Sequence, residues 1–462
     1  MNEKGTVRRK KIIELYVRKG SEKNMKKRIL TVALVAAMAT TTMFAGCGAK
    51  EKKVEKTWDS EALKAEFKTN QTLTSDKVEL TVWESAAGPD KFIEAAGEAF
   101  TEIYPNITIK YVNVESTDAN SKIVLDGPGG NGPDLFATAH NNSGVMQSVG
   151  VIEPVPETEY DIIKSSCTEA ALQGATLNEA NGNSTLYGYP VSVETYALFY
   201  NKKLIKEEEI PKTMEELVTY IENFKSTHSD DEKPFLFDAG NAYYSVMFTS
   251  TPTTKLYGEN GNDITNSYMN SAESVAQMQD FVNLSKAIGM KSGDMEFKQN
   301  DALFSAGKLA MNVSGAWNIK TYEDDGIDFG ITSIPSMTGS STPPTNFMGV
   351  RCMFVSSYSK HKPEAIAFAE FLMTKEMQKL RVRLTSTMPA REDVTSEITD
   401  EKVKAYMEGL NKQIAYSYPM PNMSQASLFW TAYGSAYGNI WNGEATDIQA
   451  ELDAANEAAT KK

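Results

Sequence analysis

The sequence predicts an α/β protein of two lobes, each a mainly parallel sheet flanked by helices, joined through a hinge of several crossing segments. Three observations predict it. A chain of 462 residues exceeds what one compact core holds, and two domains of ordinary size account for it. Residues 187–201 read as one long strand, with Val191, Val193, Ala197 and Phe199 on one face and Ser192, Glu194, Tyr196 and Tyr200 on the other. Strand and helix signals alternate on both sides of that stretch, so the polypeptide passes there between two lobes with Glu194 near the crossing. A carboxylate at such a place needs either a salt bridge or something that donates hydrogen bonds to it.

Composition excludes several classes. A formal charge of −14 argues against a nucleic-acid partner, which requires clustered Lys and Arg. Three cysteines, Cys47, Cys167 and Cys352, cannot build a disulfide framework, and with three histidines no Cys/His cluster has metal spacing. No metal and no cofactor is expected.

Residues 1–24 are basic and lack periodicity, whereas Met25-Lys26-Lys27-Arg28 and the apolar run 29–43 form a secretory signal with Met25 as its start. The run is shorter than the roughly 20 residues of a membrane span and is diluted by threonines. Phe44-Ala45-Gly46-Cys47 follows and resembles the lipobox of bacterial lipoproteins, in which cleavage precedes the cysteine and lipid is attached to its sulfur. Residues 1–47 are thus a leader, and residues 48–76, polar with a single Trp58, read as a flexible tether.

Residues 77–83 alternate as a first strand ending at Glu84 and Ser85. Residues 90–104 form a helix with Phe92, Ile93, Ala96 and Phe100 on one face, and 107–114 a second strand. Such a βαβ unit places binding loops at the carboxyl ends of its strands. The glycine-rich stretch 126–134 lacks the spacing and the Lys-Ser/Thr of a P-loop and reads as a loop feeding the buried strand 135–137. His140, Asn141 and Asn142 at its end read as polar ligand contacts. Beyond the crossing, 213–224 and 272–288 are helices, the first opened by a Thr213/Glu216 capping box. Asn241 and the aromatics Tyr243 and Tyr244 lie on a loop after the strand 235–237. Residues 302–317 run from helix to strand and end on Trp317, an indole placed to stack on a ligand. Residues 347–355 and Met388-Pro389 read as second and third crossings. A loop from Tyr418 enters a helix over 426–441 that carries Trp430, and a final helix reaches Ala459.

Four segments together resemble the maltose/maltodextrin-binding proteins of ATP-driven sugar importers. They are Asn131-Gly-Pro-Asp-Leu-Phe136, Tyr189-Pro-Val-Ser-Val-Glu194 through Lys202, Phe304-Ser-Ala-Gly-Lys-Leu-Ala-Met311 through Trp317, and Met420-Pro-Asn422 through Trp430. The resemblance covers about residues 77–455. It implies the two-lobed type II periplasmic-binding-protein fold, an N-lobe of 77–192 and 350–386, and a C-lobe of 193–349 and 387–462. It further implies a sugar cleft lined by Glu194, Tyr243, Trp317, Met420 and Trp430, with Glu84, Asn141, Asn142 and Asn241 as further contacts. This chain departs from the pattern at Thr138, where the family has an aromatic, at Asn141-Asn142, where it has an Asp-Arg pair, and at Gly434, where it has an arginine.

The function implied is a lipid-anchored, monomeric receptor on the outer face of the cell membrane. It captures maltooligosaccharides and passes them to the permease subunits of an ABC importer. No catalytic residue is expected. A secreted glycoside hydrolase is the rival reading and needs two carboxylates facing one glycosidic bond, Glu84 being the nearest partner for Glu194. A sugar-sensing subunit docked on a signalling partner is the third.

Overall fold

The computed structural model describes residues 56, 58–178 and 182–461. The leader and Cys47 lie outside the described residues. Residues 58–67, expected as part of a tether over 48–76, are packed instead. Trp58, Leu63 and Phe67 are buried, and the helix Ser60–Glu66 is capped by Asp59, whose carboxylate accepts from the Glu61 and Ala62 amides. Phe67 meets Phe100, Tyr104 and Phe371 edge-on at 6.0, 6.2 and 5.3 Å. Three apolar side chains scattered among charges suffice to seat the segment, Phe67 lying among rings of two helices.

The strands β1 (Val78–Glu84), β2 (Ile107–Asn113) and β3 (Leu135–Ala139) pair in parallel in the order β2–β1–β3. The helix Pro89–Ile103 covers them, and its predicted face of Phe92, Ile93, Ala96 and Phe100 is wholly buried. Two long strands then do the crossing: β6 (Tyr189–Asn201), after the short hairpin β4 (Thr176–Asn178) and β5 (Ser184–Leu186), and β10 (Asn346–Val355). β10 runs antiparallel to β3 on one side and to β6 on the other. β6 pairs with β10 up to Thr195, and from Tyr196 onward it pairs antiparallel with β8 (Leu309–Gly315) and with β9 (Phe329–Thr332). β7 (Lys233–Leu236) completes that half, parallel to β8. The expected parallel pairing therefore holds among β1–β3 and between β7 and β8. The crossing strands are antiparallel because they carry the chain in opposite directions.

The change of partner at Thr195/Tyr196 marks the passage between halves. The short strand β11 (Ser417–Pro419) joins β10 beside it, and Val193 bridges to Met388. The return to the second half, expected at residue 387, falls later: Ala390 bonds Gln378 and Thr168, and Arg391 pairs with Glu66. Only with the helix Glu401–Ile414, packed on β9 and joined to Glu323 through Lys402, does the chain change sides. Half of the predicted capping box is also replaced: Glu216 N–H donates to Thr213, but the Glu216 carboxylate accepts from Lys212 N–H at 2.7 Å.

Candidate functional site

Beyond the crossing, four aromatic rings from four elements gather. Tyr243 sits on the short helix Ala242–Ser245, Trp317 on the turn after β8, Trp430 on the helix Ser427–Trp441 and Phe347 on β10. Tyr243 lies 6.2 Å from both Trp317 and Phe347, and Phe347 lies 5.8 Å from Trp430. Phe347 is fully buried while the other three keep an exposed part. The result is a buried ring surrounded by three that keep part of their surface exposed.

Each is fixed by local chemistry. Asn241 caps its helix, its side chain accepting from Tyr243 N–H at 3.0 Å and donating to Asp238. Trp317 folds back over Gly315, where a β-carbon would fall 2.1 Å from the indole, so only glycine fits there. The position expected to differ from the family pattern, Gly434, faces the Gly240 carbonyl, 3.2 Å from where its β-carbon would be. The helix carrying Trp430 thus lies directly on the loop carrying Asn241.

Glu194 is part-buried at the crossing, its Oε1 accepting from Ser192 Oγ at 3.0 Å. Burial first, and the Glu194 charge second, push the Tyr243 phenol up, so Tyr243 is a neutral donor close to a carboxylate. Behind Glu194 lies a buried ionic cluster. Arg351 donates to Glu84 and, at 2.9 Å, to Ser85; Arg381 lies 3.7 Å from Glu84 and donates to Ser192 at 3.4 Å. Glu84 is 0% exposed, so the expectation that it offers its carboxylate to a ligand is corrected: two arginines occupy it. Removing one partner of such a cluster strands a buried charge, at a cost of about 3–5 kcal/mol.

The remaining predicted residues are used internally to different degrees. The Asn142 amide donates to Thr138 and accepts from Asn120, and Thr138, fully buried, donates to the Ser116 carbonyl. Asn141 is partly exposed on the same turn. His140, expected as a polar contact, is fully buried. Its Nδ1 accepts from Val350 N–H at 3.0 Å, so Nε2 carries the proton and donates to the Met420 carbonyl at 2.9 Å. Met420 itself is buried, held between His140 and Met348. The structure therefore brings Tyr243, Trp317 and Trp430 together around Phe347, with the Glu194 charge acting on Tyr243, and sets Glu84 and Met420 inside. Sequence reading missed Phe347, Ser192, Arg351 and Arg381. One signal was present: an arginine in the apolar run 347–355 demands a buried partner.

A cavity of about 460 Å³ elsewhere, lined by Trp58, Lys379, Arg383, Asp400 and neighbours, contains none of these residues.

The profile of the bacterial extracellular solute-binding proteins matches residues 95–410 of the chain. The chain belongs to that family. This solute-binding protein is 28% identical over 441 residues to the galactooligosaccharide-binding protein of Bacillus subtilis, covering 94% of this chain and 97% of that one. It is 26% identical over 375 residues to a maltooligosaccharide ABC transporter solute-binding lipoprotein of Streptococcus pneumoniae, covering 77% and 82%. Among solved structures it matches a cyclo/maltodextrin-binding protein complexed with maltotetraose, with a TM-score of 0.69 at 25% identity over 85% of this chain and 98% of that one. The Thermus thermophilus maltotriose binding protein gives 0.72 at 23% identity, over 83% and 99%. The fold is thus the two-lobed type II periplasmic-binding fold.

Proposed function

We propose that this solute-binding protein captures maltooligosaccharides on the outer face of the membrane, held there by lipid on Cys47, and delivers them to an ABC importer. The observation that carries the reading is the grouping of Tyr243, Trp317 and Trp430, part-exposed around a buried Phe347, beside the Glu194 carboxylate. A pyranose offers apolar C–H faces and a rim of hydroxyls, and aromatic faces beside a carboxylate and a phenol complement both. The same arrangement disfavours hydrolysis, since Glu84, the carboxylate the sequence offered as a partner for Glu194, is taken by arginines.

A second reading, galactooligosaccharides, is favoured by the relative of that name matching 94% of the chain. Calorimetric titration with maltose, maltotriose, maltohexaose, cellotriose and galactotriose separates the two. Maltotriose and longer maltooligosaccharides binding more tightly than maltose, with no heat from cellotriose, is the expected result. Galactotriose as the tightest ligand replaces the first reading with the second, and no heat from any sugar overturns both.

A further inference from the structure

The Trp317 turn is held from beneath by one side chain. Asp301, on the helix Phe297–Ser305, receives four donors on its carboxylate. Oδ1 accepts from Asn312 Nδ2 at 2.9 Å, Ser314 Oγ at 3.1 Å and the Tyr322 hydroxyl at 2.7 Å, and Oδ2 accepts from Asn318 Nδ2 at 2.7 Å. Asn318 also donates to Ser314 Oγ at 2.9 Å. Those donors bracket the indole: Ser314 lies near the end of the strand before it, Asn318 follows it directly, and Tyr322 lies on the next helix, Ile319–Asp324. A carboxylate only accepts, so every donor is forced to point inward at one atom pair. Gly315, lacking a β-carbon, leaves the space over the strand end in which the ring sits.

We infer that Asp301 is the positioning residue for Trp317, fixing the angle at which the indole face meets a sugar ring. This rests on the reading that Trp317 stacks on the ligand. Asp301 touches no ligand itself; it acts through Asn318 and Ser314.

The test exploits the polarity of the Asp301–Asn318 bond. Asp301→Asn keeps an acceptor for Asn312, Ser314 and Tyr322 but turns an NH2 toward the NH2 of Asn318, breaking that arm alone. Asp301→Asn with Asn318→Asp reverses donor and acceptor, restores the bond and leaves the net charge unchanged, with the Ser314 hydroxyl free to donate to the carboxylate placed at position 318 where it accepted from Asn318. The protein is labelled with 5-fluorotryptophan, and Trp317→Phe assigns the fluorine resonance of the indole, which is read without any ligand. Maltotriose and galactotriose are then titrated.

The single variant should shift or broaden the Trp317 resonance and weaken whichever sugar binds the wild type by about tenfold. The double variant should return both toward wild type, which a general loss of stability cannot do. An unmoved resonance in Asp301→Asn, or a displaced one in the double variant, overturns the inference. So does a displaced resonance with unchanged affinity. If Asp301→Asn fails to fold, the double variant alone decides by the position of its resonance. Should the wild type bind neither sugar, the proposed function fails while the resonance still reads the positioning.

Discussion

The Glu370 carboxyl is buried beside Glu159, which already accepts from Asn70, Gln71 and Thr158. Burial, and secondarily Glu159, push it up to about 8, while its ordinary value is 4.5. A raised acid keeps its proton in the fold and loses it when unfolded. Stability is therefore greatest below about 4.5 with respect to this group and falls as pH rises to about 8, by roughly 1.4 kcal/mol per pH unit for one proton. Tyr189 faces the same pair, but its phenol is raised and stays neutral throughout. His140 acts in the opposite sense: burial lowers it to about 4 from 6.5, so its contribution is lost as pH falls through that window. Urea midpoints between pH 5 and 8 should thus fall more steeply in wild type than in Glu370→Gln, and parallel slopes would refute the assignment. At the proposed ligand face, Trp317→Ala and Trp430→Ala should each weaken sugar binding by about tenfold or more, ~1.4 kcal/mol, in calorimetry. These two and Tyr243 were legible because aromatics at the ends of strands and helices stand out. Phe347 was not, since its role depends on rings brought to it from other elements. Nor was the Glu84–Arg351 pair, which joins side chains 267 residues apart.

The long strands were the easiest elements to read. β6 and β10 are buried along almost their whole length on both faces, as strands of a sheet covered on each face are. The amino-terminal segment was the hardest. Its burial rests on Trp58, Leu63 and Phe67, too few to make a periodic signal against the surrounding lysines and glutamates. Phe67→Ala should cost about 3–5 kcal/mol, measured by urea denaturation, whereas a true tether would show no change. A second element-scale test concerns the turn after β8. Gly315→Ala places a methyl where the Trp317 ring lies, so the indole must leave its seat. Near-native stability with affinity lost to the extent of Trp317→Ala is expected; undiminished affinity would mean the ring's seat is irrelevant.

For the molecule as a whole, the two halves are joined through β6, β10 and the segment between Arg391 and Glu401, and three backbone crossings are a hinge with few torsions to change. A ligand closes such a pair only by touching both halves. Trp317, Tyr243 and Trp430 belong to the second half and Asn141 to the first, so saturating sugar should reduce the radius of gyration in small-angle scattering. An unchanged radius would mean that the sugar engages one half alone. The measurement that bears most directly on the account is a crystal structure of the protein with the tightest ligand of the titration series. It should show sugar rings on Tyr243, Trp317 and Trp430 with a hydroxyl within hydrogen-bond distance of Glu194. Sugar seated in the cavity by Trp58, or touching none of those three rings, would contradict it.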